Sequence, residues 1–413
     1  MKKINSFLAI LLISLTGLAQ EQDTLKQNNE SEGINTKIKG LSVTVYIQPQ
    51  FQWGEQDASL KVGGSNNNPN QSFNRFGIRR GRLKFDYKKG IASGVFQLNI
   101  TDKGIVLKDA YVAVEDPWAG TNSFKLGVSN RTFGYEVQYS SSERESPERS
   151  TIFQTLFPEE RDLGAVITLQ APESSAIHFL KLEAGLFSGN GAYMDIDNKK
   201  DFIGHLSASD KWGVKMKWGL GVSYYYGGVY QGTENVYRMN GDGYELNNDL
   251  SNIGGFARRE YFGVDAQFSF QTALGETKLT GEYLIGTQPG SNTGSRSPNS
   301  PYLPSEDTYL REFNGGYAML VQDLGISFLA GVLKYDWYNP NTKVAGNNIG
   351  LNFTNEGDIA YQTLGFGLLW RINKNLRLQA FYESVRNEIS SNLAGYEGDR
   401  NDDVFTLRLQ YKL

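Results

Sequence analysis

Arg80, Arg82 and Lys84 stand at every second position of one segment. In an extended strand such residues share a face and follow one another at about 6.6 Å. Three cations on one wall would serve an anion as stepping stones. Guanidinium forks suit carboxylate and phosphate alike, so these side chains point to anions without choosing among them. The competing reading is that they pair with carboxylates on neighbouring strands and only stiffen the wall.

Nothing comparable supports catalysis. The two histidines, His178 and His205, have no nucleophile or paired acids placed to work with them. Asp195, Asp197, Asn198 and Asp201 have oxygen-ligand spacing but lack the glycine turn of a calcium loop, so a solvated loop is expected there. No phosphate-cradling glycine loop precedes a helix, and the basic residues are not gathered into a nucleic-acid patch. No enzyme and no cofactor is expected.

The elements that would position these cations are strands. Sixteen alternating segments can be marked, at 41–53, 75–87, 91–101, 105–115, 122–129, 162–170, 177–187, 201–209, 215–226, 258–270, 276–286, 309–320, 325–337, 360–371, 376–386 and 403–413. Their connections run long, short, long, short, with the brief link at Asp102 to Gly104 as the exception. The last segment shows the period of two most plainly: Phe405, Leu407, Leu409, Tyr411 and Leu413 on one face, Thr406, Arg408, Gln410 and Lys412 on the other. Alternation of this kind, with short turns at one end and long polar loops at the other, predicts a 16-stranded antiparallel transmembrane β-barrel. A closed barrel satisfies every backbone group within lipid, and this strand number leaves an aqueous channel rather than a filled interior.

Composition agrees. Mean hydropathy is −0.43, and past the N-terminus no apolar run approaches the 18 or so residues that a membrane-spanning helix needs. With 23 Tyr, 23 Phe and 46 Gly among 413 residues, the chain suits strands, interfacial girdles and tight turns. There is no cysteine, so neither disulfides nor thiolate chemistry arises. Residues 1–19, with Lys2, Lys3 and the apolar run Phe7 to Leu18, read as a secretory signal peptide cleaved after Ala19. Residues 20–39 read as a flexible periplasmic lead, and 40–413 as the barrel, placed in the outer membrane among its lipids.

Strand parity assigns the lumen. Inward basics are Arg80, Arg82, Lys84, Lys125, Lys181, Lys215, Lys217, Arg259, Lys278, Arg371, Arg377, Arg408 and Lys412, thirteen against eight inward acids. The acids are Asp86, Asp109, Glu115, Glu183, Asp265, Glu282, Glu312 and Glu383. A net positive bore favours anions. Arg80, Arg82, Lys84, Lys125, Arg259, Arg377 and Arg408 are the candidate pore-lining, anion-binding set.

Several stretches resemble the phosphate-selective porin O and P family: Arg79-Arg80-Gly81-Arg82-Leu83, Asp109-Ala110-Tyr111, the block Gly127 to Glu136 ending Phe133-Gly134-Tyr135-Glu136, Ser140-Ser141-Ser142, Glu148-Arg149-Ser150 and Arg161-Asp162-Leu163-Gly164. Gly185 to Gly191, Lys334-Tyr335-Asp336 and Asn373 to Tyr382 are similar as well. Thr132, Asn130, Lys334 and Leu413 depart from the family's usual residues. The resemblance implies a homotrimeric, outer-membrane anion channel for phosphate or polyphosphate, whose loop 130–161 folds inward as a constriction. That loop carries Arg131, Glu136, Arg144, Glu148 and Arg149; from 131 to 161 it holds four Arg against six Glu. Acids on the loop facing Arg80 and Arg82 on the wall would set up a transverse field. The alternatives are a non-transport surface barrel acting as adhesin or receptor, and a general or sugar porin.

Overall fold

The computed structural model describes residues 34–35, 38–326 and 328–413. The expected signal peptide, and all of the lead but residues 34–35 and 38–39, lie outside the described residues. All sixteen expected strands are present, each end within four residues of its expected position. They are β1 Leu41–Gly54, β2 Phe73–Lys89, β3 Ala92–Thr101, β4 Gly104–Glu115, β5 Ser123–Asn130, β6 Arg161–Gln170, β7 Leu180–Phe187 and β8 Asp201–Trp212. After these come β9 Met216–Tyr230, β10 Phe256–Thr272, β11 Gly275–Gly290, β12 Thr308–Asp323, β13 Leu329–Asn339, β14 Tyr361–Arg371, β15 Leu376–Asn387 and β16 Val404–Lys412.

Each strand pairs antiparallel with its sequence neighbours, and β16 returns to β1 with Val404 opposite Gly54 and Lys412 opposite Tyr46. The sheet has closed on itself. In β9 the pleat puts Leu220, Val222 and Tyr226 on the exposed outside, while Gly221, Ser223 and Tyr225 are buried within. The same alternation around the wall gives an apolar belt outside and a polar, charged face inside, as lipid and water demand. No helix among the described residues is long and apolar enough to cross a membrane.

Two bulges alter the parity. Pro49 has no N–H to give the ladder, and there the register slips: Gln48 faces Arg80 while Pro49 faces Ile78, leaving Arg79 as the extra residue. A second slip sets Gln97 opposite Asp109 but Leu98 opposite Leu107, with Lys108 the extra residue. At each bulge two consecutive side chains turn inward where strict alternation allows one.

The long loops carry structure that periodicity did not signal. Loop 131–160 contains a short helix, α1 (Thr151–Leu156). The β9–β10 loop forms a hairpin, Asn235–Asn240 with Gly243–Asn248, that adds in parallel to β12 at Thr308 to Leu310. Tyr237 stacks on Tyr309 at 4.3 Å to fix it there. A small apolar cluster of Val344, Ile349, Ile359 and Tyr396 joins the last two long loops.

Candidate functional site

The loop between β5 and β6 turns into the barrel and touches its wall nearly all the way round. The Gly134 N–H donates to Ser223 Oγ of β9 at 2.9 Å, and the Tyr135 N–H to Glu282 of β11 at 3.0 Å. Lys334 of β13 reaches Glu136 at 3.2 Å. Gln379 of β15 donates to the carbonyls of Arg144 and Glu145 at 3.1 and 2.7 Å. Gln410 of β16 donates to the Ser142 carbonyl at 3.1 Å, and the Tyr46 hydroxyl of β1 meets that of Ser141 at 2.7 Å. The inward turn depends on Gly134, whose φ is +56° and whose missing Cβ would lie 2.2 Å from the Glu282 carboxylate. An L side chain is opposed there by both backbone and space.

The loop has two unlike sides. Phe133, Ile152, Phe153, Leu156 and Phe157 are fully buried against Tyr225, Tyr261, Phe313 and Tyr317 of β9, β10 and β12. Phe157 sits 4.9 Å from Phe133 and 5.8 Å from Tyr261, ring centre to ring centre. This sector of the bore is packed like a protein core. The opposite side of the loop is charged and faces β1, β2, β15 and β16. A cavity of 330 Å³ lies on that side, bounded by Gln52, Thr363, Glu383 and Val404 of the wall, Lys61 of the first long loop, Arg400 and Asp402 of the last, and Glu148 and Arg149.

Below this cavity an arginine cluster closes on one carboxylate. Glu148 takes two bonds of 2.9 Å from Arg79, one of 3.2 Å from Arg80 and one of 2.6 Å from Arg408. Burial alone would push its carboxyl up; the fields of Arg79, Arg80 and Arg408 outweigh burial and hold it well below the usual carboxylate range. Arg149 pairs with Glu160 and also donates to the carbonyls of Glu136, Val137 and Tyr139. Lys108 pairs with Glu159, and Arg161 with Glu160 and with Asp109 at 2.9 and 3.1 Å. Glu159 and Glu160 both have left-handed backbone, φ 62° and 64°, a conformation that costs a non-glycine residue about 1–2 kcal/mol. Their ion pairs hold the loop's return to β6 in that shape.

Five guanidiniums keep donors without a partner among the described residues: Arg131 and Arg259 within their buried ion pairs, and Arg82, Arg144 and Arg377 on the loop's charged side. Arg144 is buried and makes no side-chain hydrogen bond; Arg82 lacks a partner for Nε, and Arg377 for Nε and Nη2. Burial, then the neighbouring Arg149, lowers the Arg144 guanidinium to about 10, so it stays charged at neutral pH.

The expected residues separate into groups. Arg80, Arg82, Arg377 and Arg408 face the loop's charged side with Glu136, Arg144, Glu148 and Arg149. Lys84 is paired with Asp86 at 2.7 Å, and Lys125 lies over the Tyr111 ring at 5.2 Å. Arg259 and Arg131 are fully buried in pairs with Asp201 and Asp162, the latter at 3.0 Å, so neither offers an accessible charge. Glu312, expected to point inward, instead points out and meets Lys343 at 3.1 Å. The β12 parity is the reverse: Arg311 faces in, fully buried on Asp358 at 2.9 Å. Arg79 and Lys108 were hidden by the bulges, although the Pro in β1 was a readable sign of the first. Lys61, in a loop, and Lys334 and Asp336, in β13, also belong to the site. Of the aspartates at 195–201, Asp195 is paired with Lys200 and Asp201 with Arg259, and no acidic or histidine group among the described residues is arranged for a metal.

A scan against models of known families finds no match, and a search of curated protein sequences finds none either. Solved structures do match. The Salmonella typhi OmpF complex with daunomycin aligns over 90% of this chain and 97% of that one, at 12% identity and a TM-score of 0.56. The trimer form of OmpT, an outer membrane protein of Vibrio cholerae, aligns over 90% and 99%, at 10% identity and 0.51. A mutant of the Rh. blastica porin aligns over 90% and 100%, at 9% identity and 0.50.

The fold is that of the outer-membrane porins. A closed sixteen-stranded cylinder with an apolar belt is a multi-pass outer-membrane architecture, and the porin fold places the charged cluster within its bore.

Proposed function

We propose that the chain is an outer-membrane porin, a passive channel for small hydrophilic solutes with a preference for anions. Loop 131–160 is its constriction: it fills one sector of the bore with apolar side chains and leaves the charged sector for passage. The observation that carries the anion preference is the surplus of guanidinium donors on that sector. Arg79, Arg80 and Arg408 already share one carboxylate, while Arg82, Arg144 and Arg377 bury donors that no group among the described residues accepts. Burying a cation without a counter-charge costs several kcal/mol, roughly; a passing anion supplies one. A preference for phosphate or polyphosphate within the anions is supported by the sequence resemblance, and a homotrimer by that resemblance and by the trimer form of the Vibrio protein. Residues 1–19 act as the export signal, and 20–39 as a periplasmic lead.

Zero-current potentials in a potassium chloride gradient across a planar bilayer test the reading. Anion-selective polarity is the expected result, with chloride current falling as phosphate is added. Cation-selective polarity, or no conductance, refutes it.

A further inference from the structure

The cavity above the arginine cluster has the opposite charge balance. Some of its charges are spent: Glu148 is held by three arginines, Arg149 by Glu160, and Asp57 pairs with Arg400 at 3.6 Å. Lys61, Asp336, Glu383 and Asp402 remain, one ammonium against three carboxylates. Asp336 is buried, accepts the Thr151 N–H at 3.1 Å and the Thr151 side chain, and lies in the field of Lys334. Asp402 buries an Oδ1 with no partner, and the Glu383 carboxylate takes no hydrogen bond among the described residues. Tyr361 adds an aromatic ring to the same wall.

Carboxylates with open acceptor positions beside an aromatic ring form a site for an ammonium group, which donates three hydrogen bonds and is drawn to a ring face. The volume, 330 Å³, is that of a small-ligand site, about 300–1,000 Å³. Glu148 and Arg149 border both this cavity and the arginine cluster, so the two regions are contiguous. A dipeptide reaches about 7 Å when extended, and the two zones meet at Glu148 and Arg149.

We infer that the cavity formed by Asp336, Glu383, Asp402 and Tyr361 is an ammonium subsite, and that the channel therefore holds dipolar solutes, amino acids or short peptides, across its two charged zones. This rests on the channel reading above. Lys61, within the field of Glu148 and Glu383, stands where it limits the net negative charge of the subsite and admits the carboxylate end.

The test uses the full chain in planar bilayers, with L-alanyl-L-alanine as the probe and its N-acetyl derivative, which lacks the ammonium, as the comparison. Dialanine is expected to interrupt single-channel current with dwell times about tenfold longer or more than the N-acetyl derivative gives. The double variant Glu383→Gln, Asp402→Asn is expected to shorten the dialanine dwell by a similar factor and not to shorten that of N-acetyl-dialanine. Asp402→Asn alone, in a loop outside the wall, is the second variant should the double one not assemble, and is expected to shorten the dwell about threefold. Equal dwell times for the two peptides, or variants that hold dialanine as well as the parent does, overturn the subsite. Zero-current potentials taken without peptide in the same bilayers report on the anion channel separately, so the two readings fail independently.

Discussion

Glu148→Gln is the sharpest test of how charge is arranged on the loop's charged side. The parent carboxylate binds Arg79, Arg80 and Arg408 at 2.6–3.2 Å and borders the open cavity. The amide keeps its size and one acceptor but raises the local charge by one unit. Across about 6 Å of water, with screening over a Debye length of about 8 Å, a unit charge is worth about 0.3 kcal/mol to a passing ion. The change favours anions and opposes cations by equal amounts, so the permeability ratio moves by twice that, about threefold toward chloride. The zero-current potential in a salt gradient reads this directly. Acid does not imitate the variant in the mild range. The carboxyl lies well below its usual range because three arginines overcome burial, and a depressed carboxyl stabilises the fold above its unfolded-state value and loses that stabilisation only as pH falls through the depressed one. Parent channels are therefore expected to keep the contribution of Glu148 below pH 5 or so. An unchanged ratio in the variant, or a shift toward potassium, would show that Glu148 does not border the ion path.

Phe157→Ala removes a fully buried ring from the core between loop and wall, a loss of about 3–5 kcal/mol. Because that core ties the loop down, the expected result is larger, noisier conductance from a barrel that still shows heat-modifiable migration; quiet currents of parental size would count against the loop as constriction. Asp358→Ala leaves Arg311 buried without its partner and frees Tyr244 and Asn341, a cost of about 3–5 kcal/mol, and limited proteolysis should then cut within 340–360 before any other loop. Burial raises Asp402 to about 6, aided by Asp399, Asp403 and Asp57 against Arg400. A raised carboxyl takes up its proton in the folded state as pH falls through that value, so cation attraction at the mouth is lost and anion selectivity rises between about pH 7 and pH 5. Zero-current potentials across that range check it, and Asp402→Asn should flatten the curve.

The wall was legible in the sequence because a period of two and the length of a strand are local properties that the membrane enforces. The interior was legible only as far as parity held. Arg79 and Lys108 sit at bulges, where one inserted residue reverses the face, and Glu312 and Arg311 exchanged sides because neighbouring charged residues give parity nothing to choose between. The loop's charged residues could be named, but not their partners. Arg408 and Glu148 are joined across 260 positions, a contact set by closure of the cylinder and by the seat of Phe133 and Phe157, neither of which leaves a periodic trace. Nor did anything announce the three open carboxylates, which come from two strands and a separate loop.

The inserted loop also bears on how the cylinder is held shut. Its residues 141–148 bind both edges of the seam: Gln48 of β1 donates to the Ser141 carbonyl at 3.0 Å, Gln410 of β16 to that of Ser142 at 3.1 Å, and Arg408 to that of Pro147 at 2.6 Å. Gln48 and Gln410 themselves meet at 2.6 Å across the join. The seam where first and last strands meet is thus bridged by the loop as well as by the backbone ladder, and the clasp that completes the ring is fastened from within.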